Sequence, residues 1–206
     1  MNEVTRSARA TSGEAVARVA RLRRSQPIGW WGMALFIATE AALFGTLLST
    51  YYYLRLKSPV WPPDHIPAPS MALPLALTGV LVASALPMAL ANRAAQAGRA
   101  APAWWALAVA LGIQCAYLAL QLHSFSSDLD KFGLHRDAYT SIYFTLLGAH
   151  HLHVLIGILL DGWLLARLPS GLTNYRALAV RVTALYWYFV SVLGTLVVVT
   201  QLAPSW

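Results

Sequence analysis

The sequence predicts an all-α, polytopic membrane protein with five transmembrane helices. Of its 206 residues, 58% are hydrophobic and only 11% are charged, whereas an average soluble domain has roughly 45–50% apolar and about 25% charged residues. Five separate stretches each approach the roughly 20 apolar residues that a helix needs to cross a bilayer. Basic residues gather in alternate connections between these stretches, as is usual in membrane proteins.

The five predicted spans are separated by polar or proline-rich connections. Residues 1–27 form an Ala- and Arg-rich arm that we interpret as a retained cytoplasmic segment, and residues 28–206 form the transmembrane domain. Prolines in the first connection cannot continue a helix, and Pro87 predicts a kink in the second span. Residues 124–137 are polar and acidic and are predicted to be a loop. The spans are predicted at 28–54, 71–91, 103–123, 139–168 and 178–202.

The distribution of Lys and Arg predicts the orientation of the chain. Cytoplasmic connections of membrane proteins carry the excess of these residues. One side of the predicted topology holds Arg6, Arg9, Arg18, Arg21, Arg23, Arg24, Arg93, Arg99, Arg167, Arg176 and Arg181, and the other holds only Arg55, Lys57, Lys131 and Arg136. The N-terminus is therefore predicted inside and the C-terminus outside, and the net charge of +7 needs no nucleic-acid partner to explain it.

Glu40 is the first candidate functional residue, because it lies near the middle of the first predicted span. An ionised carboxylate costs about 2.5 kcal/mol or more at that depth, so Glu40 should be protonated or partnered. Bulky residues surround it on the helix, whereas a stripe of small residues occupies the opposite face: Ala34, Ala38, Ala41, Gly45 and Ser49. Since small residues let helices approach closely, we expect the stripe to pack and Glu40 to point away from that contact. Glu40 is then either a neutral acid satisfied by a neighbouring helix or a proton- or lipid-related site, and we favour the second.

The second candidate is GAHHLHVLIG in the fourth span, where His150, His153, Gly157 and Asp161 share one helix face. His151 points elsewhere. The two histidines reach the depth of Glu40, so a Glu–His pair is geometrically possible. Metal ligation is the competing interpretation. A haem would need a histidine on another helix at that depth, and zinc would have only Glu40 as a further ligand, so we predict no metal site.

Other polar residues within the spans are interpreted as interhelical hydrogen-bonding groups. Gln114, Tyr117 and Gln121 share one face of the third span, and Thr183, Trp187 and Ser191 share one face of the fifth. The single Cys115 lies in an apolar run, which excludes a disulfide scaffold. The chain contains no phosphate loop and no recognisable nucleophile motif, so we predict no catalytic residue on it.

Three stretches, WWGMALFIATEAALFGTLLSTYYYLR, GAHHLHVLIGILL and YWYFVSVLGTLVV, together resemble subunit III of the haem–copper oxidases, the cytochrome c oxidase subunit III family. The family's motifs are F-I-x-x-E on one helix and H-x-x-H-V-x-x-G on a later one. Here they correspond to Glu40 and to His150, His153 and Gly157. The resemblance covers essentially the whole chain after the arm, and is to the short, five-helix bacterial form.

This resemblance implies an accessory subunit in the bacterial cytoplasmic membrane, without a cofactor of its own. Its implied partners are the catalytic subunit I, which carries the haem and copper, and the other oxidase subunits. The implied role is to sustain proton uptake and to protect the catalytic subunit during oxygen reduction. Phospholipid is implied in a cleft lined by the helices of Glu40 and of His150, His153 and Gly157, and Glu40 and the histidines are implied to be proton-linked.

One departure from the family pattern keeps alternatives open. The last helix of the family reads W-H-F followed by an acid or amide, whereas this chain has Tyr188 and Ser191 at those positions. A related subunit of a nitric oxide reductase is therefore one alternative. Another is a small proton-linked transporter, for which we would expect internal repeats. The last is a cofactor-binding membrane enzyme, for which we would expect a second mid-membrane histidine on another helix.

Overall fold

The computed structural model describes residues 26–62, 72–133 and 137–202. Five helical spans in these ranges are long and apolar enough to cross a membrane, which confirms the predicted all-α class and the number of spans. The predictions for the arm up to residue 25, the prolines of 63–70 and an external C-terminus at 203–206 lie outside the described residues. The helices are α1 (Ile28–Lys57), α2 (Ala72–Ala83), α3 (Ala85–Gln96), α4 (Ala100–Phe132), α5 (Ala138–Arg167) and α6 (Asn174–Leu202).

Helix α4 is longer than the sequence predicted, because the polar segment after residue 123 continues the helix. The hydroxyls of Ser126 and Ser127 both donate to the carbonyl of His123, so they are satisfied without leaving the helix. Tyr143 of α5 donates to Asp128 at 3.1 Å and holds this extension against the bundle. The helix ends at Gly133, whose φ of 72° suits glycine. The prediction of a loop over residues 124–132 was therefore wrong.

The second span is made of two helices, α2 and α3, that meet at Ser84. The break follows from Pro87, which has no amide hydrogen to donate to the carbonyl of Ala83 four residues earlier. Ser84 is buried at this point, and its hydroxyl donates to the carbonyl of Leu81. The predicted irregularity is confirmed, and it turns a polar side chain towards the centre of the bundle.

Helix α6 lies at the centre of the packing, in contact with α1, α2, α3 and α5, whereas α1 packs at the edge against α5 and α6. The larger apolar cluster has members on every helix from α2 through α6 and includes the fully buried Trp187. A smaller cluster fixes α1 through Phe44 and Tyr51, which pack with residues of α5 and α6 such as Leu146. The edge helix is thus attached by a few large side chains.

The expected orientation of α1 was wrong in one respect. Four members of the small-residue stripe, Ala38, Ala41, Gly45 and Ser49, are exposed on the surface of the chain. The opposite, bulky face carries Phe44 into the bundle, and Glu40 goes with it. Lipid solvates either face of α1 equally well, so the bilayer does not decide which face packs. The bulky face makes more van der Waals contacts inside the bundle, whereas small residues gain such contacts only when another helix approaches closely.

Candidate functional site

Glu40 of α1 and His153 of α5 form a direct pair in the middle of the membrane span. His153 Nε2 lies 2.9 Å from Glu40 Oε2, and each residue is near the midpoint of its 30-residue helix. The imidazole is nearly enclosed, with 7% of its side chain exposed, while Glu40 keeps 21%. Phe44 covers the histidine ring, its centroid 5.2 Å away. The pair therefore sits at the edge of the bundle, with its acid reachable from the bilayer.

The hydrogen bonds of His153 limit how many protons the pair can hold. Nδ1 lies 2.7 Å from the carbonyl oxygen of Ala149, which can only accept, so Nδ1 must carry a hydrogen. Nε2 then either accepts from a protonated Glu40 or, as imidazolium, donates to an ionised one. An ionised Glu40 beside a neutral His153 would leave two acceptors facing each other. In either of these two arrangements one hydrogen lies between Oε2 of Glu40 and Nε2 of His153.

His150 does not join this pair, although it is only three residues away. Its Nε2 lies 3.2 Å from the hydroxyl of Tyr117 on α4, and Gln121 donates to the same hydroxyl at 3.0 Å. His150 is 1% exposed, and its Nδ1 has no partner in the described part of the chain. The predicted shared face is real, but its two histidines lie in different helix interfaces. His151 is off the shared face, as expected, and its ring packs against Phe125.

A second buried pair lies further along α5, where Gln114 of α4 donates to Asp161 Oδ2 at 2.7 Å. Both side chains are fully buried. The other oxygen of each, Asp161 Oδ1 and Gln114 Oε1, has no hydrogen-bond partner among the described atoms. The sequence placed Asp161 on the histidine face but assigned it no role. The polar spacing on α4 correctly predicted that Gln114 and Tyr117 bond to another helix.

Gly157 and Gly194 allow aromatic and histidine side chains to approach the backbone closely. A Cβ atom at Gly157 would lie 2.8 Å from the ring of Trp187, and one at Gly194 would lie 2.6 Å from the ring of His150. Trp187 is fixed in place because its indole donates to Ser84 at 2.8 Å. Ser84 was missed by sequence reasoning, and its only signal was its position next to the predicted kink at Pro87.

The arrangement is suited to holding a proton at the bundle edge and to stabilising helix packing inside. Within the described ranges, no group of three or more His, Cys, Asp or Glu side chains could hold a metal ion. Of the predicted site residues, the structure brings together Glu40 and His153. It places His150 against α4 and α6, and Gly157 against Trp187. Whether these residues also contact lipid stays a prediction.

Comparison with known proteins gives a consistent family. A sequence model described as cytochrome c oxidase subunit III matches residues 24–202. The chain is 30% identical over 166 residues to a Synechocystis protein named cytochrome c oxidase subunit 3, covering 79% of this chain and 70% of that one. It is 26% identical to a protein of the same name from Thermostichus vulcanus, of which 80% is covered. For the one from Polypterus ornatipinnis, at 29% identity, the match covers only 64% of that protein.

Proposed function

The chain belongs to the cytochrome c oxidase subunit III family, and from this membership we propose that it is an accessory, non-redox subunit of a bacterial haem–copper oxidase. Its proposed role is to support proton uptake and the persistence of the catalytic subunit during oxygen reduction. In this assignment the haem and copper belong to the catalytic partner, and this chain carries no catalytic centre. The proposed location is the bacterial cytoplasmic membrane, with bound phospholipid.

The observation that carries the proposal is the Glu40–His153 pair, at 2.9 Å in the middle of the span. The hydrogen bond holds a hydrogen between acid and imidazole, at a depth where an unpaired charge is costly. Such a site holds or relays a proton, and it offers no means of transferring electrons. The 21% exposure of Glu40 keeps the acid in reach of lipid or of a partner subunit at this edge.

The proposal is tested by comparing oxidase complexes purified with and without this chain, at matched haem content and lipid. We expect the initial rate of oxygen reduction to survive removal, because the chain supplies no redox group. The activity should then decay faster with turnover, since proton delivery is slowed and apolar surface of the partner is exposed. A complex that carries Glu40→Gln should show intermediate decay, and one that carries Cys115→Ser, an exposed site on α4, serves as the matched control.

Two results would contradict this role. Immediate and complete loss of oxygen reduction, with the partner's haems intact, would mean that the chain carries chemistry of its own. Equal initial rates and equal decay with and without the chain would reduce it to a passive assembly factor. In the second case the proton-linked role of Glu40, His150 and His153 would be withdrawn.

A subunit of a nitric oxide reductase is the second candidate, favoured by the departure at Tyr188 and Ser191. The Ser191 hydroxyl donates to the carbonyl of Trp187 on its own helix, so it takes no part in an ionisable pair. Co-purification followed by an optical spectrum and by assays with oxygen and with nitric oxide distinguishes the two complexes. A small proton-linked transporter would instead show uptake by the isolated chain in vesicles.

The proposed orientation has the N-terminus in the cytoplasm and the C-terminus outside. A reporter that is active only in the cytoplasm should be active when it is fused before Met1, and a reporter that is active only outside should be active when it is fused after Trp206. This is expected because eleven of the fifteen basic residues lie on the predicted inner side. Both fusions reporting the same side would contradict an odd number of spans. Both reporting the opposite side would reverse the orientation and leave the helix count intact.

A further inference from the structure

An open cavity of about 290 Å³ lies at the end of the bundle where α1 and α6 begin and α3 ends. Its polar lining comes from Gln96 at the end of α3, from Thr173 just before α6, and from Asn174 and Arg181 of α6. Pro27 and Leu178 add apolar surface. The cavity lies at an end of the bundle and the Glu40–His153 pair lies mid-span, so a ligand bound in the cavity would be separate from a lipid in contact with that pair.

The lengths of the apolar segments place this cavity at the level of the lipid headgroups. Residues 182–202 follow Arg181 without a single charged residue, and residues 72–92 precede Arg93 in the same way. Each segment has about the 20 residues that span the hydrocarbon core. Arg181 and the end of α3 therefore lie at the boundary between the hydrocarbon and the polar layer, where a phosphate group of a lipid resides.

The charge of this end of the bundle is strongly one-sided. Its cations in the described ranges are Arg93, Arg99, Arg167, Arg176 and Arg181. Asp161 of α5, on the same helix as Arg167, is fully buried and bonded to Gln114. The other carboxyl groups near helix ends, Asp128, Asp130 and Asp137, lie at the opposite end. An anion in the cavity would thus meet cations without a competing exposed carboxylate from these helices.

The walls of the cavity are held together by hydrogen bonds. Gln96 donates to the carbonyl of Ala177 at 2.9 Å and so fastens α3 to α6. Thr173 precedes α6, and its hydroxyl accepts a hydrogen bond from the backbone amide of Arg176 at 3.2 Å. The first turn of α6 also contributes the positive end of the helix dipole, which adds to the field of Arg181. The site is therefore defined before any ligand binds.

We propose that this cavity binds the phosphate headgroup of an anionic phospholipid from the adjoining leaflet, with Arg181 as its principal cation. Basic pockets between helix ends are suited to such headgroups. A lipid is favoured over free phosphate because Arg181 lies at the hydrocarbon boundary, so a headgroup bound there leaves its acyl chains in the bilayer beside the apolar residues that follow Arg181. The N-terminal arm is a poorer match for a basic cavity, because its six arginines outnumber its two carboxylates, Glu3 and Glu14.

Native mass spectrometry of the detergent-purified full chain tests the site, with phosphatidylglycerol, phosphatidylcholine and inorganic phosphate as separate probes. We expect phosphatidylglycerol to bind more tightly than phosphatidylcholine, and Arg181→Gln to weaken only the former, by about fivefold for one charge near a membrane surface. Arg181→Lys should retain most of the binding. Arg167→Gln is the matched control, because Arg167 stacks on Trp163 and does not line the cavity.

A second variant separates ligand loss from damage to the fold. Asn174→Asp puts a negative charge in the cavity, while Asp at a helix N-terminus favours the helix. It should therefore weaken phosphatidylglycerol binding without lowering thermal stability. Equal binding of both lipids, or equal loss in Arg167→Gln and Arg181→Gln, would overturn the proposal. Tight binding of inorganic phosphate alone would replace the lipid site with a free-anion site. None of these outcomes depends on oxidase activity.

Discussion

The polar groups of α5 fall into two regions that differ in their access to the membrane. At the outer edge, His153 pairs with Glu40 of α1, which is 21% exposed. Inside, His150 and Asp161 bond to Tyr117 and Gln114 of α4, and all four are almost completely buried. The acid of the outer pair is therefore reachable from the bilayer. The inner bonds mainly join α4 to α5.

A small angular difference separates the two regions. Residues three apart on a helix differ by about 60° around its axis, because each residue advances about 100°. Helix α5 contacts α1, α4 and α6 on different sides, so this rotation places His150 and His153 in different interfaces. Two histidines of one motif can therefore have different partners and different roles, and substitutions in the two regions should differ in their effects.

The largest effect is expected from Gly157→Ala, which places a methyl group 2.8 Å from the ring of Trp187. Trp187 cannot easily move, because it is fully buried and bonded to Ser84. We expect a loss of about 1–3 kcal/mol of stability, typical of overpacking. Thermal unfolding in detergent measures it. Gly162→Ala on the same helix is the control, since nothing lies within 4 Å of its added Cβ; equal stability of the two variants would contradict the inner packing.

An intermediate effect is expected from Asp161→Leu, which leaves the buried amide of Gln114 without its acceptor. The cost of an unsatisfied buried group is about 1–3 kcal/mol. Asp161→Asn keeps an acceptor oxygen and should cost less. Adding Gln114→Leu to Asp161→Leu should recover part of the loss, because no polar group is then stranded. A strictly additive double variant in the same unfolding assay would show that the two residues do not interact.

The smallest effect on stability is expected at the outer pair. Glu40→Gln keeps a hydrogen-bonding group beside His153 at the exposed edge, so the loss should be below about 1 kcal/mol. The difference between the regions should instead appear in chemistry. A membrane-soluble carbodiimide should label Glu40 in intact membranes and leave the buried Asp161 unmodified. Peptide mapping by mass spectrometry checks this, and labelling that persists on α1 in Glu40→Gln, or that appears on Asp161, would refute the comparison.

The candidate site was only partly predictable. Glu40, His150 and His153 were identified because ionisable groups are costly in hydrocarbon, and the common depth of these residues follows from span length alone. The choice of His153 as partner of Glu40 was not predictable. It depends on how α1 and α5 are rotated about their axes when they pack. The hydrogen bond between Trp187 and Ser84 was not predictable either, because it joins residues 103 positions apart in different spans.

The sequence by itself determined the all-α class, the five spans, the break near Pro87 and the residues that carry the family motif. These features depend on local quantities: hydrophobic length, the missing amide of proline and the residues at each position. Only the tertiary structure decided which face of α1 packs, how far α4 extends and which histidine meets Glu40. The physical reason is that a bilayer accepts any apolar face, so the side-chain pattern of one helix does not specify its neighbour. That choice is made by the shapes and hydrogen bonds of several helices together.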